Sequence, residues 1–358
     1  MKRHGLRIAA VTAAACLALT AGACGRKEPG PTPQPQAQEP AAPIMVTASI
    51  NQWGSLAKQI GGQDVTVRSI LDSTSIKTHD FTPQNADTTK LTGAEIVVAN
   101  GAGYDSWATG KLGKNAVTVS ASTTVGATNG DNPHLWFSKD ARSAMATELE
   151  NAFAKARPSK ARRFAARLKA WKTDEEKLEK TMAGFKKDHP DATYAATESV
   201  AYYLMDDLGF TDKTPQGYIQ AMTTGAQPDR ADMDNLRMLA SSRTINVLVN
   251  DTQQANDMTN TITGAAGRSQ LPVVDITEQM PSDQKTLGSW IAALIEQFQS
   301  AMTAFDNTEE GHRKVDGADA SRNHSSDSTP DSGISDSEHQ PTNSEHMPSN
   351  QGQTDPGK

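Results

Sequence analysis

The fold follows from the stretch IMVTASINQWGSLAKQIGGQDVTVRSIL, residues 44–71. Apolar and β-branched residues fill 44–48 and 65–71, whereas the segment 53–60 between them repeats its apolar residues at helical spacing. A strand, a helix and a second strand in this order are typical of a βαβ unit with parallel strands. This stretch therefore predicts an α/β fold.

The same alternation continues through the first half of the chain. Further strands are predicted at 96–99 and 117–120, and the run 95–99 has the unbroken apolar character of a strand covered on both faces. Thr82 and Pro83 are the expected N-cap and first-turn residues of a helix that runs towards Leu91. These elements form a first βα lobe.

A long helical region separates this lobe from a second one. The helical pattern begins at Asp140 and is interrupted at Pro158, where Ser159 is the expected cap of a second helix. Strands and helices then alternate again at 193–197, 200–208, 231–240, 245–249, 256–266, 271–276 and 287–305. We predict two similar βα lobes, each with a mostly parallel sheet, bridged by one long helix. A single larger sheet with a helical insertion is the alternative.

The N-terminus has the residue order of a secretory signal. Basic residues at positions 2, 3 and 7 precede the apolar stretch 8–19, which is shorter than the roughly 20 residues of a membrane-spanning helix. Ala21, Gly22 and Ala23 then lead into Cys24, which resembles a bacterial lipobox, although Ala21 stands where Leu is usual. We therefore expect cleavage after Ala23 and a lipid on Cys24. A plain secreted protein with a free thiol is the alternative.

Both ends of the mature chain differ in composition from the part between them. Six prolines in 26–43 predict an extended tether. From Asn307 onward there are ten acidic residues, four basic residues and no aromatic residue, which predicts a disordered tail. The tail also holds four histidines, at 312, 324, 339 and 346, which are either a solvated spacer or a metal-scavenging segment.

These boundaries give a complete domain prediction. It assigns 1–23 to the signal peptide, 24–43 to the lipidated Cys and tether, 44–157 to the first lobe, 158–188 to the linking helix, 189–305 to the second lobe and 306–358 to the acidic tail. The chain has a formal charge of −7, and the tail alone contributes −6. The folded part has no excess of basic residues, which argues against a nucleic-acid partner.

Two histidines of the first lobe lie in loops that follow strands and precede helices. His79 belongs to THDFTP, residues 78–83, and His134 belongs to DNPHLW, residues 131–136. In open α/β sheets, ligands bind at the carboxyl ends of the strands. Both histidines are therefore candidate ligand-binding residues.

These motifs resemble the cluster A-I metal-binding lipoproteins of ABC importers, the ZnuA/TroA-like solute-binding proteins. The resemblance runs in order through VTAS at 46–49, the His before an aromatic-x-Pro helix start at 79–83, the strand end ANG at 99–101 and the turn PHLW at 133–136. It covers about residues 44–305 and implies a metal cleft between the lobes.

The resemblance also implies a set of four metal ligands. His79 and His134 come from the first lobe, and Glu198 follows the first strand of the second lobe. The fourth ligand follows the last strand, where we favour Glu278 over Asp275; Asp251 is a reserve candidate. Imidazole nitrogens suit zinc and carboxylate oxygens suit manganese, so this set predicts Zn²⁺ or Mn²⁺, with Glu198 favouring the harder ion.

The resemblance implies a solute-binding protein, not an enzyme. We expect one Zn²⁺ or Mn²⁺ per chain as transported ligand, a permease in the membrane as partner, a lipid anchor on the outer face of the membrane and a monomeric state. A secreted metallohydrolase is one alternative, but it needs an open coordination position and a general base, and no HExxH or GxSxG motif is present. A surface adhesin or interaction lipoprotein is another.

Overall fold

The computed structural model describes residues 42–76, 78 and 81–323, with side chains as far as residue 308. Several sequence interpretations lie outside these residues: the signal peptide, Cys24, nearly all of the tether, His79 and the tail from residue 324 onward.

The first lobe is a four-stranded parallel sheet covered by helices. Its strand order, β2-β1-β3-β4, places the first strand in the interior of the sheet, where Val46 pairs with Val67 on one side and Ile96 on the other. The elements are β1 (Ile44–Ile50), α1 (Asn51–Gly61), β2 (Val65–Leu71), α2 (Asn85–Thr92), β3 (Ile96–Ala99), β4 (Val117–Ser120), α3 (Ala121–Val125) and α4 (Lys139–Ala156).

The second lobe repeats this arrangement. Its elements are β5 (Thr193–Ala196), α6 (Tyr202–Asp207), β6 (Thr211–Asp212), α7 (Gln216–Thr224), α8 (Arg230–Ser242), β7 (Val247–Asp251), α9 (Asp257–Arg268) and β8 (Val273–Ile276). The strand order β6-β5-β7-β8 has the same topology as the first sheet, and all its pairs are parallel. The predicted α/β fold with two similar lobes is confirmed.

Two long helices accompany the lobes. α5 (Ala161–Asp188) is the predicted linking helix and leads into β5, and α10 (Leu287–Asn323) follows β8. Single-turn 3-10 helices lie at Gly62–Asp64, Ser106–Ala108, Leu135–Phe137, Pro158–Lys160, Ser199–Ala201 and Thr252–Gln254. No helix within the described residues is long and apolar enough to cross a membrane.

Two helix starts differ from the sequence prediction. α2 begins after Gln84, whose side chain forms a reciprocal capping box with Asp87, so the predicted start at Thr82 is wrong. α5 begins after Lys160 because Pro158 to Lys160 form a separate 3-10 turn, and Ser159 is therefore not its cap.

The last helix is longer than predicted. It continues to Asn323, whereas the apolar periodicity predicts an end at Phe305. In the sequence, Glu309 precedes Arg313 by four residues and Glu310 precedes Lys314 by four, a spacing that supports a solvated helix without an apolar face. Hydrophobic periodicity alone does not detect such a segment.

One hydrophobic core cluster joins the two lobes. It extends from β1 and α1 through α5 to α6 and α10. At its centre, the rings of Phe137 and Trp290 lie 5.0 Å apart, and those of Phe210 and Phe298 lie 5.8 Å apart. Because close-packed side chains resist rearrangement, a shared core favours small motions of one lobe against the other.

Candidate metal centre

The strand topology defines where a ligand binds. In each sheet the strand order reverses beside the strand that comes first in the sequence, β1 or β5. In open α/β sheets, ligands usually bind at such a point, in the crevice outside the carboxyl ends of the strands. In the first lobe this edge carries the loops after β1 and β3, and in the second lobe it carries Thr197 and Asp251. The candidate ligands that the structure describes lie at these edges, except Asp275: Asp251 is the last residue of β7, and the others lie in loops.

His134 is held in one orientation by its neighbour Asn132. The side-chain oxygen of Asn132 accepts a hydrogen bond from the backbone N–H of His134 at 3.0 Å and lies 2.8 Å from its ring Nδ1. This contact assigns the ring proton to Nδ1 and the lone pair to Nε2, as a metal ligand requires. The ring is 6 % exposed and lies edge-on to Trp136 and Tyr104.

The turn after β3 supports the His134 loop. Asn100 donates from Nδ2 to the carbonyl of Pro133 at 2.8 Å, and Asp105 accepts hydrogen bonds from the backbone N–H groups of Asn100 and Gly101 at 2.6 and 2.8 Å. Gly101 has φ +77°, and a Cβ there would lie 2.0 Å from Ser122 Oγ. Glycine is therefore required at this turn for both conformation and space.

Glu278 is buried between the lobes and is 1 % exposed. Its Oε2 accepts a 2.7 Å hydrogen bond from the hydroxyl of Tyr104 in the first lobe, and its Oε1 accepts a 2.9 Å bond from Gln254 Nε2. The backbone oxygen accepts a further bond from Gln52 Nε2. Tyr104 contacts the His134 ring as well, at 6.1 Å between centroids, so His134 and Glu278 face the same tyrosine.

Asp251 ends β7 and is also 1 % exposed. Its Oδ1 accepts a 2.8 Å hydrogen bond from the backbone N–H of Gln253, whereas within the described residues its buried Oδ2 has no hydrogen-bond partner. A buried carboxylate oxygen without a donor is costly unless a cation contacts it. This is the property of a ligand position.

Glu198 lies two residues after the end of β5, at the N-cap of the turn Ser199–Ala201. Its side chain makes no capping hydrogen bond, so Glu198 does not stabilise this turn as a cap. Burial and the charges of Asp251 and Glu278 raise the pKa of Glu198 to about 8. Burial and the charge of Glu278 likewise raise the pKa of Asp251 to about 7.

These shifts show that the three carboxyl groups are electrostatic neighbours. Like charges in a poorly solvated place disfavour ionisation, whereas a divalent cation reverses the effect. Within the residues that the structure describes, no three His, Cys, Asp or Glu side chains lie close enough together to enclose an ion as they stand. His79, the remaining predicted ligand, lies outside these residues.

Asp275 is not part of this group. It is exposed on β8, between buried neighbours on the opposite face of the strand, and its Oδ1 accepts a 2.7 Å hydrogen bond from Asn250 Nδ2. Strand alternation therefore points Asp275 away from the cleft.

A network of amide side chains ties the loop before His79 to the second lobe. Gln253 donates from Nε2 to the carbonyl of Ile76 at 2.9 Å and to Gln279 Oε1 at 2.6 Å. Gln279 in turn donates from Nε2 to Thr78 Oγ1 at 2.9 Å. The residue before His79 is thus hydrogen-bonded to the residue after Glu278.

Sequence reasoning missed the residues that orient the site. Tyr104, Asn132, Gln253 and Gln279 each contact a candidate ligand or its neighbour, but none has a charge or a ligand-type side chain that a motif search detects. Only Asn132 carried a signal, since an Asn two residues before a His can accept hydrogen bonds from that residue's backbone and ring.

Comparison with known proteins identifies the family. Residues 46–301, more than half of the chain, match the protein family described as "ZnuA: Zinc-uptake complex component A periplasmic". The chain belongs to the ZnuA family. It is thus a metal-binding solute-binding protein of ABC importers, and this family is one of transport components rather than of enzymes.

Individual relatives of this ZnuA-family chain agree with that assignment. The manganese-binding lipoprotein MntA of Bacillus subtilis is 25 % identical over 295 residues, covering 78 % of this chain and 90 % of MntA. The periplasmic zinc-binding protein TroA of Treponema pallidum has a TM-score of 0.61 at 18 % identity, covering 74 % of this chain and 99 % of TroA.

Two more solved structures share the fold. An Mn-bound mutant of a periplasmic metal-binding protein from Candidatus Liberibacter asiaticus has a TM-score of 0.59 at 14 % identity, covering 72 % of this chain and 99 % of that protein. A mutant of the laminin-binding adhesin Lmb of Streptococcus agalactiae has a TM-score of 0.60 at 18 % identity, covering 71 % of this chain and 99 % of Lmb. At these identities the likeness concerns the fold alone.

Proposed function

We propose that this chain is an extracytoplasmic lipoprotein that captures one Zn²⁺ or Mn²⁺ ion between its lobes and delivers it to an ABC permease in the membrane. His79, His134, Glu198 and Glu278 are the proposed ligands, and Cys24 is the proposed site of lipid attachment. The observation that carries the proposal is a group of three carboxyl groups, the buried Asp251 and Glu278 and the half-buried Glu198, whose charges oppose one another until a cation is bound.

The placement of His134 supports this ligand set. Its Nδ1 faces Asn132, and the ring packs against the tyrosine whose hydroxyl binds Glu278. Two imidazoles and two carboxylates form a set of intermediate hardness that accepts Zn²⁺ as well as Mn²⁺. Two carboxylates also neutralise the charge of a divalent ion, so that its burial leaves little net charge in the site.

Thr78, the residue before His79, is bound to the second lobe. Thr78 is bonded to Gln279, and the loop therefore starts beside Glu278. This contact spans 201 residues of sequence and joins the two lobes. The residue that precedes the proposed ligand His79 is thus tied to the second lobe.

Asp251 is as good a candidate for the fourth ligand as Glu278. Both oxygens of Glu278 accept hydrogen bonds from protein donors, whereas Oδ2 of Asp251 has no such bond within the described residues. If Asp251 binds the ion directly, Asp251→Asn weakens metal binding more than Glu278→Gln does. The reverse order assigns the ligand to Glu278.

Elemental analysis tests the proposal. The chain from residue 24 onward, with Cys24→Ser to prevent lipid attachment, should purify with one zinc or manganese ion per chain. Glu198→His should shift the competition between the two ions towards zinc, because a third imidazole softens the site. Purified protein that neither contains nor takes up either ion would contradict the proposal, and an unchanged preference would remove Glu198 from the ligand set.

The lipid anchor needs a separate test. Wild-type cells should release the protein only on detergent extraction, whereas the Cys24→Ala chain should be found in the soluble extracytoplasmic fraction. Membrane retention of the Cys24→Ala chain after a high-salt wash would contradict attachment through this residue.

A further inference from the structure

The folded part of the chain, residues 44–306, has a formal charge of −4, but basic residues are concentrated at one end of it. The amino-terminal edge of the first sheet is formed by residues 43–45, 61–66, 92–96, 113–118 and 154–167, which we call the basic end. The last four of these segments contain seven Lys or Arg residues and two acidic residues. This edge lies opposite the carboxyl ends of the strands and hence opposite the metal centre.

Hydrogen bonds and ion pairs place these segments together. Glu95 donates its backbone N–H to Met45 at 2.8 Å, and Val117 donates its own to Glu95 at 2.9 Å. Arg157 forms two 3.0 Å bonds with Glu95. Arg163 and Arg167 lie 3.2 and 2.8 Å from Asp64. The turn between α4 and α5 is thus fixed against the edge at which β1 begins.

The two acidic residues of the basic end are both engaged by arginines, which leaves a positive excess. Within the described residues, no ion pair involves Lys114, Lys155, Lys160 or Arg162. Lys114, Lys155 and Arg162 are exposed, and Lys160 is half-buried. A basic surface of this kind matches an anionic surface.

The opposite end of the molecule lacks this positive excess. α5 is 28 residues long, about 42 Å, and runs from the basic end to the amino-terminal edge of the second sheet. Segments 186–193, 209–213, 242–247 and 303–308 at that edge contain four acidic residues (Asp188, Asp191, Asp212 and Asp306) and four basic residues (Lys186, Lys187, Lys213 and Arg243). The acidic sequence from Asn307 follows directly, because α10 reaches this edge at Phe305, whose ring packs on Arg243 at 4.8 Å.

The chain enters the fold at the basic end. β1 begins at Ile44, so the 19 residues from 25 to 43 separate Cys24 from this edge, a maximum reach of about 65 Å. A lipid on Cys24 therefore keeps the basic end within that distance of the membrane. The point at which the tether enters the fold and the positive charge coincide at one edge of the molecule, and both point to the same occupant.

We propose that the basic end, centred on Lys155, Lys160 and Arg162, binds the anionic phospholipid headgroups of the membrane in which the lipoprotein is anchored. In this orientation the opposite end lies away from the membrane, and the metal cleft lies between the two ends. The orientation rests on the lipid anchor proposed above, whereas headgroup binding by the unlipidated chain does not. Basic residues near an anionic bilayer each strengthen binding about fivefold at low salt.

The test uses the chain from residue 24 with Cys24→Ser, so that no lipid contributes. It should sediment with phosphatidylcholine vesicles that contain phosphatidylglycerol, weakly with phosphatidylcholine alone, and less at high salt. The variant K155E/K160E/R162E should lose at least tenfold in affinity for the anionic vesicles. The matched control K180E/K187E/K213E changes the net charge equally on exposed lysines of α5 and the second lobe, and it should stay within about twofold of wild type.

Several outcomes would overturn the proposal. These are an equal loss in the control, equal binding to neutral vesicles, no binding to anionic vesicles, or preferential capture of soluble polyphosphate at the same phosphate concentration. Thermal unfolding of both variants checks that they are folded. Their metal stoichiometry should equal that of wild type, so a failure here is distinct from a failure of the metal site.

Discussion

The hydroxyl of Tyr104 in the first lobe donates a 2.7 Å hydrogen bond to Glu278 Oε2 in the second lobe. This bond spans 174 residues of sequence and lies at the cleft, where Tyr104 also contacts the His134 ring. Burial and the Glu278 charge raise the pKa of Tyr104, so the phenol remains a proton donor at physiological pH. Tyr104 therefore connects the two lobes by a hydrogen bond to Glu278, a proposed metal ligand.

Tyr104→Phe should destabilise the metal-free protein by about 1.5–3 kcal/mol, because it removes a hydrogen bond to a charged, buried group. Chemical denaturation of metal-free protein measures this. Tyr203→Phe is the matched control: it removes a 3.0 Å bond to the neutral carbonyl of Asn132 and should cost about 1 kcal/mol. A larger loss in the control than in Tyr104→Phe would contradict this interpretation of the Tyr104 bond.

Asn132→Ala should weaken metal binding by about 10–100-fold, since partners that orient a metal-binding histidine typically contribute this much. The measurement is metal titration by calorimetry. Asn132→Asp retains the oxygen that faces His134 Nδ1 but loses the Nδ2 bond to the Ser199 carbonyl, and it should bind metal more tightly than Asn132→Ala. Equal affinities for wild type and Asn132→Ala would show that this residue does not orient the ligand.

The stability of the metal-free protein should fall as pH rises from about 4.5 to 8. Glu198 has a folded-state pKa of about 8 against an ordinary value of 4.5, so the folded state binds more protons than the unfolded state throughout this window. Stability then decreases with pH, by up to a few kcal/mol. Thermal unfolding between these pH values should show a smaller decrease in Glu198→Gln. An equal slope in both proteins would contradict the shift.

The buried ion pair of Arg142 and Glu175 offers a further prediction. Arg142 is 1 % exposed, binds Glu175 of α5 through Nε and Nη2, and donates from Nη1 to the carbonyl of Phe137 at 2.8 Å. Glu175→Gln should destabilise the protein by about 3–5 kcal/mol, because it leaves a buried cation without its partner. Denaturant unfolding measures it, and a loss below about 1 kcal/mol would contradict the account.

A double replacement distinguishes packing from charge in this pair. Arg142→Met combined with Glu175→Met should be less destabilising than Glu175→Gln alone, because no unpaired charge stays in the interior. If the double variant is destabilised more, the main contribution of Arg142 is its hydrogen bonding to the turn Leu135–Phe137, which follows His134.

Much of the fold was accessible from the sequence. Strands such as Ile96–Ala99 are buried on both faces and therefore consist of continuous apolar residues, and β1, α1 and β2 follow one another with clear changes of period. Short elements were not detected, because β6 has two residues and α7 begins after a proline without a polar cap. The cap at Gln84 was missed since Thr82 with Pro83 is the more common helix start.

The site was predictable only in part. Glu198 and Glu278 closely follow strand ends, where residue type and position both indicate ligands, whereas His134 lies beyond α3, at the start of the turn Leu135–Phe137. Tyr104, Gln253 and Gln279 act through contacts between distant segments, and a single sequence does not record which segments meet. Asp251 is proposed as a ligand because its Oδ2 has no hydrogen-bond donor among the described residues. This is a property of the packing, which a sequence does not record.

Metal titration of the His79→Ala/His134→Ala double variant, beside wild type and His189→Ala, tests the central claim most directly. His189 contacts Phe185 and Gln299 on the surface of the second lobe, so its replacement serves as the matched histidine control. We predict one zinc or manganese ion per chain in wild type and in His189→Ala, and no stoichiometric binding in the double variant. Retention of one tightly bound ion by the folded double variant would contradict the account.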